Sequence, residues 1–150
     1  MQAELVPASE GHLQLLLPLV AAYHTFESFH RTEAERESAV RRLLNDRSLG
    51  GIWLVQADGE LAGYIALCKG YSIEFGGHDA FIDEFYLEPA FRGKGLGRQV
   101  LELIKEEARN ADICAVHLEV ARNNTPARTL YARAGFAARE KYVLMSINLL

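Results

Sequence analysis

The sequence has only two cysteines, and they are far apart. Cys68 and Cys114 lie in otherwise apolar stretches, which indicates reduced core thiols and excludes a small fold held by disulfides. Because reduced cysteines are typical of a reducing compartment, they predict a cytoplasmic protein. No window of the chain approaches the apolar length that spans a bilayer, and the N-terminus has no basic segment followed by an apolar one. The sequence therefore predicts neither an export signal nor a membrane anchor.

A run of basic residues is also absent. The 16 Lys and Arg residues are scattered, and 20 Asp and Glu residues give a formal charge of −4. We therefore predict that neither nucleic acid nor an anionic membrane is a partner, and that a cationic one fits better. His24, His30 and His78 lack the short spacing of a zinc pair, so we predict no metal. For His24, a surface or half-buried imidazole is favoured over an acceptor contact or auxiliary base.

Glycine and proline are too scattered to form a linker, and no internal repeat is present, so we predict one domain over residues 1–150. Periodicity, caps and turns predict the order strand, two helices, three strands, helix, strand, helix, strand. Pro18 is expected to kink or end the first helix, and Thr32 with Glu35 forms a capping-box pattern before the second. Asp58-Gly59 predicts a hairpin turn between the second and third strands, and Gly135 is expected just past the last helix. Strands are predicted at 2–6, 52–56, 61–69, 80–87, 115–120 and 142–149. This order is typical of a mixed α/β sheet with helices on its faces, in which only the strand-helix-strand part is a parallel crossover.

A glycine-rich loop follows the strand that ends at Leu87. Arg92-Gly93-Lys94-Gly95-Leu96-Gly97 precedes a helix, and such a loop lets backbone N–H groups approach an anion such as a diphosphate. The spacing matches neither the Walker nor the Rossmann pattern. A flexible turn with two basic residues is the plain alternative.

Two motifs together resemble a known family. Arg92-x-x-Gly95-x-Gly97 after a strand is similar to the acetyl-coenzyme A signature of GNAT N-acetyltransferases. Asn124 to Phe136, with its Ala127, its Leu130-Tyr131 pair and its Gly135-Phe136 pair, resembles that family's second motif. The order of elements agrees over nearly the whole chain. The resemblance implies the GNAT fold, a mostly antiparallel sheet with one parallel, splayed strand pair and helices on both faces.

The resemblance also implies acetyl-coenzyme A as cosubstrate and a set of residues that bind it. The cofactor would lie where the strands ending at Leu87 and near Val120 splay apart, with Asn124 on the far side of the pantetheine arm. The implied contacts are Phe85, Tyr86, Leu87, Arg92, Gly93, Lys94, Gly95, Leu96, Gly97, Arg98, Asn124, Ala127 and Tyr131.

Transfer of an acetyl group to an amine needs a group that removes a proton, since an alkylammonium has a pKa of roughly 10. Asp83 and Glu84 are the candidates; strand alternation predicts that at most one of them faces the amine. Asp83 aligns with the first acid of polyamine acetyltransferases, and Glu84 has the longer reach. A surface ion pair without a catalytic part is the alternative for either acid. In the family motif, the residue matching Tyr131 protonates the departing thiolate; a core aromatic is its alternative.

The acceptor pocket in this family lies between the first two helices and the middle strands. Here those segments are aromatic and acidic, and the residues predicted to bind the amine are Tyr23, Glu27, Tyr71 and Glu74. The implied activity is acetylation of a small primary amine such as a polyamine, diamine or amino acid. The alternatives are a protein N-terminus or lysine acetyltransferase and a silent acyl-coenzyme A sensor. The short chain after Phe136 predicts either a pocket that is open on its closing side or one that Tyr142 to Leu149 of a second subunit completes, which is consistent with a homodimer.

Overall fold

The computed structural model describes residues 1–150 and contains five strands and four α-helices. Their order agrees with the predicted one up to the last helix. The strands are β1 (Ala3–Pro7), β2 (Gly50–Ala57), β3 (Glu60–Ser72), β4 (Gly77–Leu87) and β5 (Ala115–His117). The helices are α1 (Leu13–Glu27), α2 (Glu33–Asn45), α3 (Leu96–Asn110) and α4 (Thr125–Arg133).

The strands form a single sheet in the order β1-β2-β3-β4-β5. All neighbours are antiparallel except β4 and β5, which are parallel and pair only over residues 79–81 and 115–117. The β2–β3 hairpin turns at Asp58 and Gly59, both with positive φ, as the Asp-Gly pair predicts. The mixed α/β class is confirmed.

Helices cover both faces of the sheet. A cluster of 15 buried residues packs α3 against one face, and a cluster of 10 packs α1 and α2 against the other. The capping box that starts α2 is formed: the Thr32 hydroxyl accepts from the Glu35 N–H, and the Glu35 carboxylate accepts from the Thr32 N–H. Pro18 does not end the first helix, because α1 continues through it.

Two predictions about the chain are wrong. No strand forms at 142–149; residues 142–150 are irregular and exposed, because no neighbouring strand supplies hydrogen-bond partners. The predicted core thiol at Cys114 is exposed, while Cys68 is half-buried and its pKa is raised to about 11 by burial. No helix is both long and apolar enough to cross a membrane.

Candidate active site

Strand β4 carries a bulge at its acidic pair. Ala66 of β3 pairs with Glu84 and Leu67 pairs with Ile82, so Asp83 has no partner. The extra residue changes the alternation of side chains along the strand. As a result, Ile82 packs in the α3-side core whereas Tyr86, four residues later, packs in the core under α1 and α2. The expectation that only one acid can face the amine assumed regular alternation, and the bulge removes that assumption.

Asp83 presents an unengaged carboxylate beside the bulge. Its residue is solvent-exposed, yet enough protein surrounds the carboxylate that partial desolvation raises its pKa, and the nearby His24 opposes this rise. No hydrogen bond to its side chain contributes to the shift. Asp83 can therefore accept a proton from a ligand without first giving up a donor.

Glu84 is held between two donors. The Tyr64 hydroxyl donates to its Oε1 at 2.8 Å, and His24 Nε2 lies 2.6 Å from its Oε2. Burial raises the pKa of Glu84, while the hydrogen bonds from Tyr64 and His24 lower it. Both oxygens of Glu84 are thus already engaged within the protein, unlike those of Asp83.

His24 is the only buried polar side chain of the chain, with 9% of its surface exposed. It lies on α1, on the same buried stripe as Leu13, Leu16 and Val20. The prediction favoured a surface or half-buried imidazole, and this is wrong. The available signal was its position on the apolar stripe, because a polar group there needs a partner. Its partners, Glu84 and Arg36, are distant in sequence and could not be identified from it.

Tyr131 lies on α4, half-buried, with its ring 6.0 Å from that of Phe136. Burial raises the pKa of its hydroxyl, and the charge of Glu27 raises it further. The hydroxyl of Tyr131 therefore remains protonated at neutral pH. Tyr23 lies near the acids, because its ring is 6.4 Å from that of Tyr64, whose hydroxyl donates to Glu84. The charge of Glu27 raises the pKa of both Tyr23 and Tyr131.

The N-terminus of α3 is shaped to receive an anion. Gly95 is its N-cap with φ 79° and offers no capping side chain, so the N–H groups of the first turn have no intrahelical partner. Lys94 and Arg98 are exposed. Gly97 lets α4 approach closely, since a Cβ there would lie 3.0 Å from Leu130 Cδ2. These features fit a diphosphate.

The edge of β4 beyond the acidic pair is free on the β5 side. Residues 82–87 have no β5 partner, so their backbone groups can pair with an extended ligand, as the predicted pantetheine contacts at Phe85, Tyr86 and Leu87 require. The splayed opening is present where the motif places it. The cofactor-binding roles of these residues stay a prediction.

Three predicted cofactor contacts are engaged within the protein. Arg92 donates from Nε to the Leu87 carbonyl at 2.8 Å, and its guanidinium lies over the rings of Phe26 and Tyr86. Asn124 caps α4 by accepting from the Ala127 N–H at 3.3 Å. Arg92 therefore connects α1 to the end of β4, and Asn124 and Ala127 can offer a ligand only their remaining polar groups.

The four predicted acceptor residues fall into two separate groups. Tyr23 and Glu27 lie on α1 near the acidic pair and Tyr131. Tyr71 is 70% exposed and lies five residues along β3 from the partner of Glu84, which is about 17 Å. Glu74 pairs with Arg139 at 2.7 Å. Tyr71 and Glu74 thus do not share a pocket with the acids, because both lie at the far end of the β3–β4 hairpin, away from Asp83 and Glu84.

No group of three or more His, Cys, Asp or Glu side chains is arranged to hold a metal ion. Two histidines instead each contact one carboxylate: His24 contacts Glu84, and His117 Nε2 lies 3.1 Å from Asp79 Oδ2. The absence of a metal requirement stays a prediction.

Comparison with known proteins identifies the family. The sequence profile of the Acetyltransferase (GNAT) family matches residues 18–136. The chain belongs to the GNAT acetyltransferase family. It is therefore an N-acetyltransferase, and acetyl-coenzyme A is its cosubstrate.

One curated relative and two solved structures are similar to this chain. Streptothricin acetyltransferase of Streptomyces lavendulae is 36% identical over 55% of this chain and 42% of its own length. An integron cassette protein from the mobile metagenome of Cole Harbour Salt Marsh superposes with a TM-score of 0.85 at 30% identity, over 99% of this chain and 91% of its own. A predicted acetyltransferase from Clostridium acetobutylicum, solved with acetyl-CoA, superposes with a TM-score of 0.77 at 17% identity, over 97% and 96%.

The conformation of Gly95 gives a prediction about cofactor binding. Its φ of 79° costs an alanine at least about 1 kcal/mol, whereas asparagine tolerates this region. Without the cofactor an alanine here can relax to another conformation, because no atom lies within 4 Å of its Cβ position, and binding must then restore the strained one. We expect Gly95→Ala to weaken acetyl-coenzyme A binding by about fivefold or more and Gly95→Asn to weaken it less, as measured by titration calorimetry. Equal affinities of wild type and Gly95→Ala would show that cofactor binding does not need this conformation of Gly95.

Proposed function

We propose that this GNAT acetyltransferase transfers the acetyl group to a primary amine of a small molecule, by direct attack in a ternary complex. The observation that carries the proposal is the unengaged carboxylate of Asp83 at the bulge, beside a second, engaged acid at Glu84. Two neighbouring carboxyl groups favour the approach of an ammonium and one can take its proton.

Aromatic side chains near this acidic pair support a small organic acceptor. Phe26 near the end of α1 and Phe29 just after this helix are exposed, and the ring of Tyr23 lies 6.0 Å from that of Phe29. The buried rings of Tyr64 and Tyr86 pack beneath Tyr23 at 6.4 and 6.3 Å. Such rings pack on aliphatic segments and attract cations. A polyamine, diamine or amino-acid-like amine has both features, and streptothricin acetyltransferase is by name an enzyme for a small molecule.

In the proposed reaction, Asp83 and Tyr131 are the two catalytic residues that handle protons. The amine gives a proton to Asp83, its nitrogen attacks the acetyl carbonyl carbon, and the carbon–sulfur bond breaks. The thiolate then takes the hydroxyl proton of Tyr131, whose raised pKa keeps it protonated until that moment. The tyrosinate takes up the second proton that the nitrogen loses as the amide forms, so Tyr131 returns to its starting state. Glu84 contributes its charge and takes no proton, because both of its oxygens already accept hydrogen bonds.

A panel of acceptors tests the substrate class. Free-thiol release from acetyl-coenzyme A is measured with polyamines, diamines, amino acids, aminoglycosides and short peptides. We expect turnover with one class of small amines and none with the peptides. Turnover with peptides alone would instead favour the alternative, acetylation of protein N-termini or lysines. Cofactor binding by thermal shift, with no turnover on any amine, would favour a silent sensor.

We further propose that residues 1–150 act as one domain in the cytoplasm. The two cysteines are unpaired, which fits a reducing compartment. The sheet is continuous, and helices of both halves of the chain pack on it, which supports a single folding unit.

A homodimer is proposed from the C-terminal segment. Its exposed apolar side chains are Tyr142, Val143, Leu144, Met145, Ile147, Leu149 and Leu150. Strand β5 has β4 as its only neighbour, and a groove of about 1380 Å³ lies between β5, α4 and the start of this segment. An unpaired edge and an apolar segment in the same chain favour exchange of the segment between two copies.

Removal of residues 143–150 tests the dimer. We expect light scattering to give the mass of two chains for the intact protein and of one chain for the shortened protein. The shortened form retains Tyr142, which packs on Arg139, so its melting temperature should change by only a few degrees. A mass of one chain for the intact protein would contradict the dimer.

A further inference from the structure

Four elements each contribute one side chain to a chain of hydrogen bonds that ends at Glu84. Arg36 of α2 contacts His24 of α1, His24 contacts Glu84 of β4, and Tyr64 of β3 contacts the other oxygen of Glu84. The chain of contacts is largely buried, with 11% of the His24 side chain and 16% of the Glu84 side chain exposed. Burying such groups is costly unless each is satisfied, and here each of them is.

The direction of these hydrogen bonds follows from the chemistry of arginine. A guanidinium has only donors, so Nδ1 of His24 must accept from Arg36 Nε at 3.4 Å. Nε2 of a neutral His24 then carries the hydrogen and donates it to Glu84 Oε2. Because the Tyr64 hydroxyl donates to Oε1, Glu84 receives a donor on each oxygen, an arrangement that suits a carboxylate and not a carboxylic acid.

We propose that His24 is a positioning residue for the reaction: fixed by Arg36, it holds Glu84 as a charged, oriented carboxylate next to Asp83 and the incoming ammonium. The inference deepens the proposed function and, for its effect on turnover, rests on it. His24 touches neither substrate in this scheme and acts only through Glu84.

The other charged and titratable groups around Glu84 make its charge sensitive to His24. Asp83 on β4 raises the pKa of Glu84, and burial raises it most, while only Tyr64 and His24 lower it. Tyr23 on α1 and Cys68 on β3 also feel the charge of Glu84, and neither supplies a positive charge. Arg36 reaches Glu84 only through His24. Loss of the His24 donor therefore raises the pKa of Glu84, so that on lowering the pH the carboxylate becomes protonated earlier.

Two variants of His24 separate its donor from its bulk. The Nε2 of glutamine can replace the donor to Glu84, whereas asparagine is too short to reach it. The carboxyl carbon of Glu84 is followed by ¹³C NMR against pH in the protein without substrates, with the signal assigned by its disappearance in Glu84→Gln. We expect the titration midpoint to rise by about one to two pH units in His24→Asn, and to stay within about half a unit of wild type in His24→Gln.

The outcomes of this titration decide the inference without any enzyme assay. An unchanged midpoint in His24→Asn, or equal shifts in both variants, would overturn it. If thermal melting shows that His24→Asn does not fold, His24→Leu replaces it, because leucine suits the apolar stripe of α1 and has no donor for Glu84. An unmoved midpoint in His24→Leu would also overturn the inference.

Turnover gives the second readout. In His24→Asn, the acid limb of kcat/KM for the amine should move to higher pH by the same amount, and His24→Gln should restore it. Absence of turnover in the wild type would reject the proposed function and leave the NMR result standing. A shifted midpoint with an unmoved acid limb would show that the charge of Glu84 has no part in catalysis and would overturn the role of His24.

Discussion

Replacing Tyr131 by phenylalanine is expected to lower kcat by about 10² to 10⁴ fold, the range typical of a lost general acid. The hydroxyl is the only group that the substitution removes, and burial together with Glu27 holds its pKa above the usual value. The ring remains against Phe136, so the KM for acetyl-coenzyme A should change by less than about threefold. Steady-state kinetics by thiol release measures both constants.

Tyr71→Phe is the matched control for this variant. Tyr71 is 70% exposed and lies outside the pocket of the acids, and its ring packs on His78, a contact that phenylalanine preserves, so its kcat should equal that of wild type. A Tyr131→Phe enzyme with wild-type kcat would show that water, or another group, protonates the thiolate.

Asp83→Asn is expected to lower kcat/KM for the amine by a similar factor of about 10² to 10⁴ at neutral pH. Asparagine keeps the size of the side chain and cannot accept the proton. The loss should shrink as pH rises, because the neutral fraction of the amine increases about tenfold per unit below its pKa of roughly 10. Thiol release measured between about pH 6 and about pH 10 gives the dependence of kcat/KM on pH for both enzymes.

Two comparisons make the Asp83 result specific. Glu4→Gln changes an exposed acid of β1 and should leave the rate unchanged. Glu84→Gln should also lower kcat/KM, but its loss should remain at high pH, since Glu84 supplies charge and does not take the proton. If Glu84→Gln were the variant rescued at high pH and Asp83→Asn were not, Glu84 would be the base.

Local sequence signals predicted much of the fold. The Asp58-Gly59 turn, the Thr32-Glu35 capping box and Gly135 after α4 each act over a few residues, so their physics is present in the sequence. All three are confirmed. The family motif also predicted the glycine-rich turn before α3. Gly93 and Gly95 both have positive φ there, a conformation that glycine adopts readily.

Features that depend on distant partners were not predictable. The segment 142–149 has strand-forming residues, but a strand also needs a neighbour, and none lies beside it. The bulge at Asp83 arises from the pairing of β3 with β4, which composition does not reveal. Glu74 was expected to attract an ammonium, yet Arg139, 65 positions away, takes its carboxylate.

The burial of His24 has a local signal in the sequence, whereas its partners do not. Its place on the buried stripe of α1 indicates burial, and a buried imidazole needs hydrogen-bond partners. The identity of those partners depends on how α1 crosses β4 and α2. That packing brings Glu84 and Arg36 to its two ring nitrogens, and it made His24 a functional candidate.

The central claim is that the acetyl group moves directly from acetyl-coenzyme A to the acceptor amine. Coenzyme A thiol and acetylated amine are quantified together, with and without the amine found in the acceptor panel, and the mass of the protein is recorded. Direct transfer predicts equal amounts of both products, no thiol release without amine, and an unchanged protein mass. Thiol release without amine, accompanied by a protein heavier by one acetyl group, would contradict it.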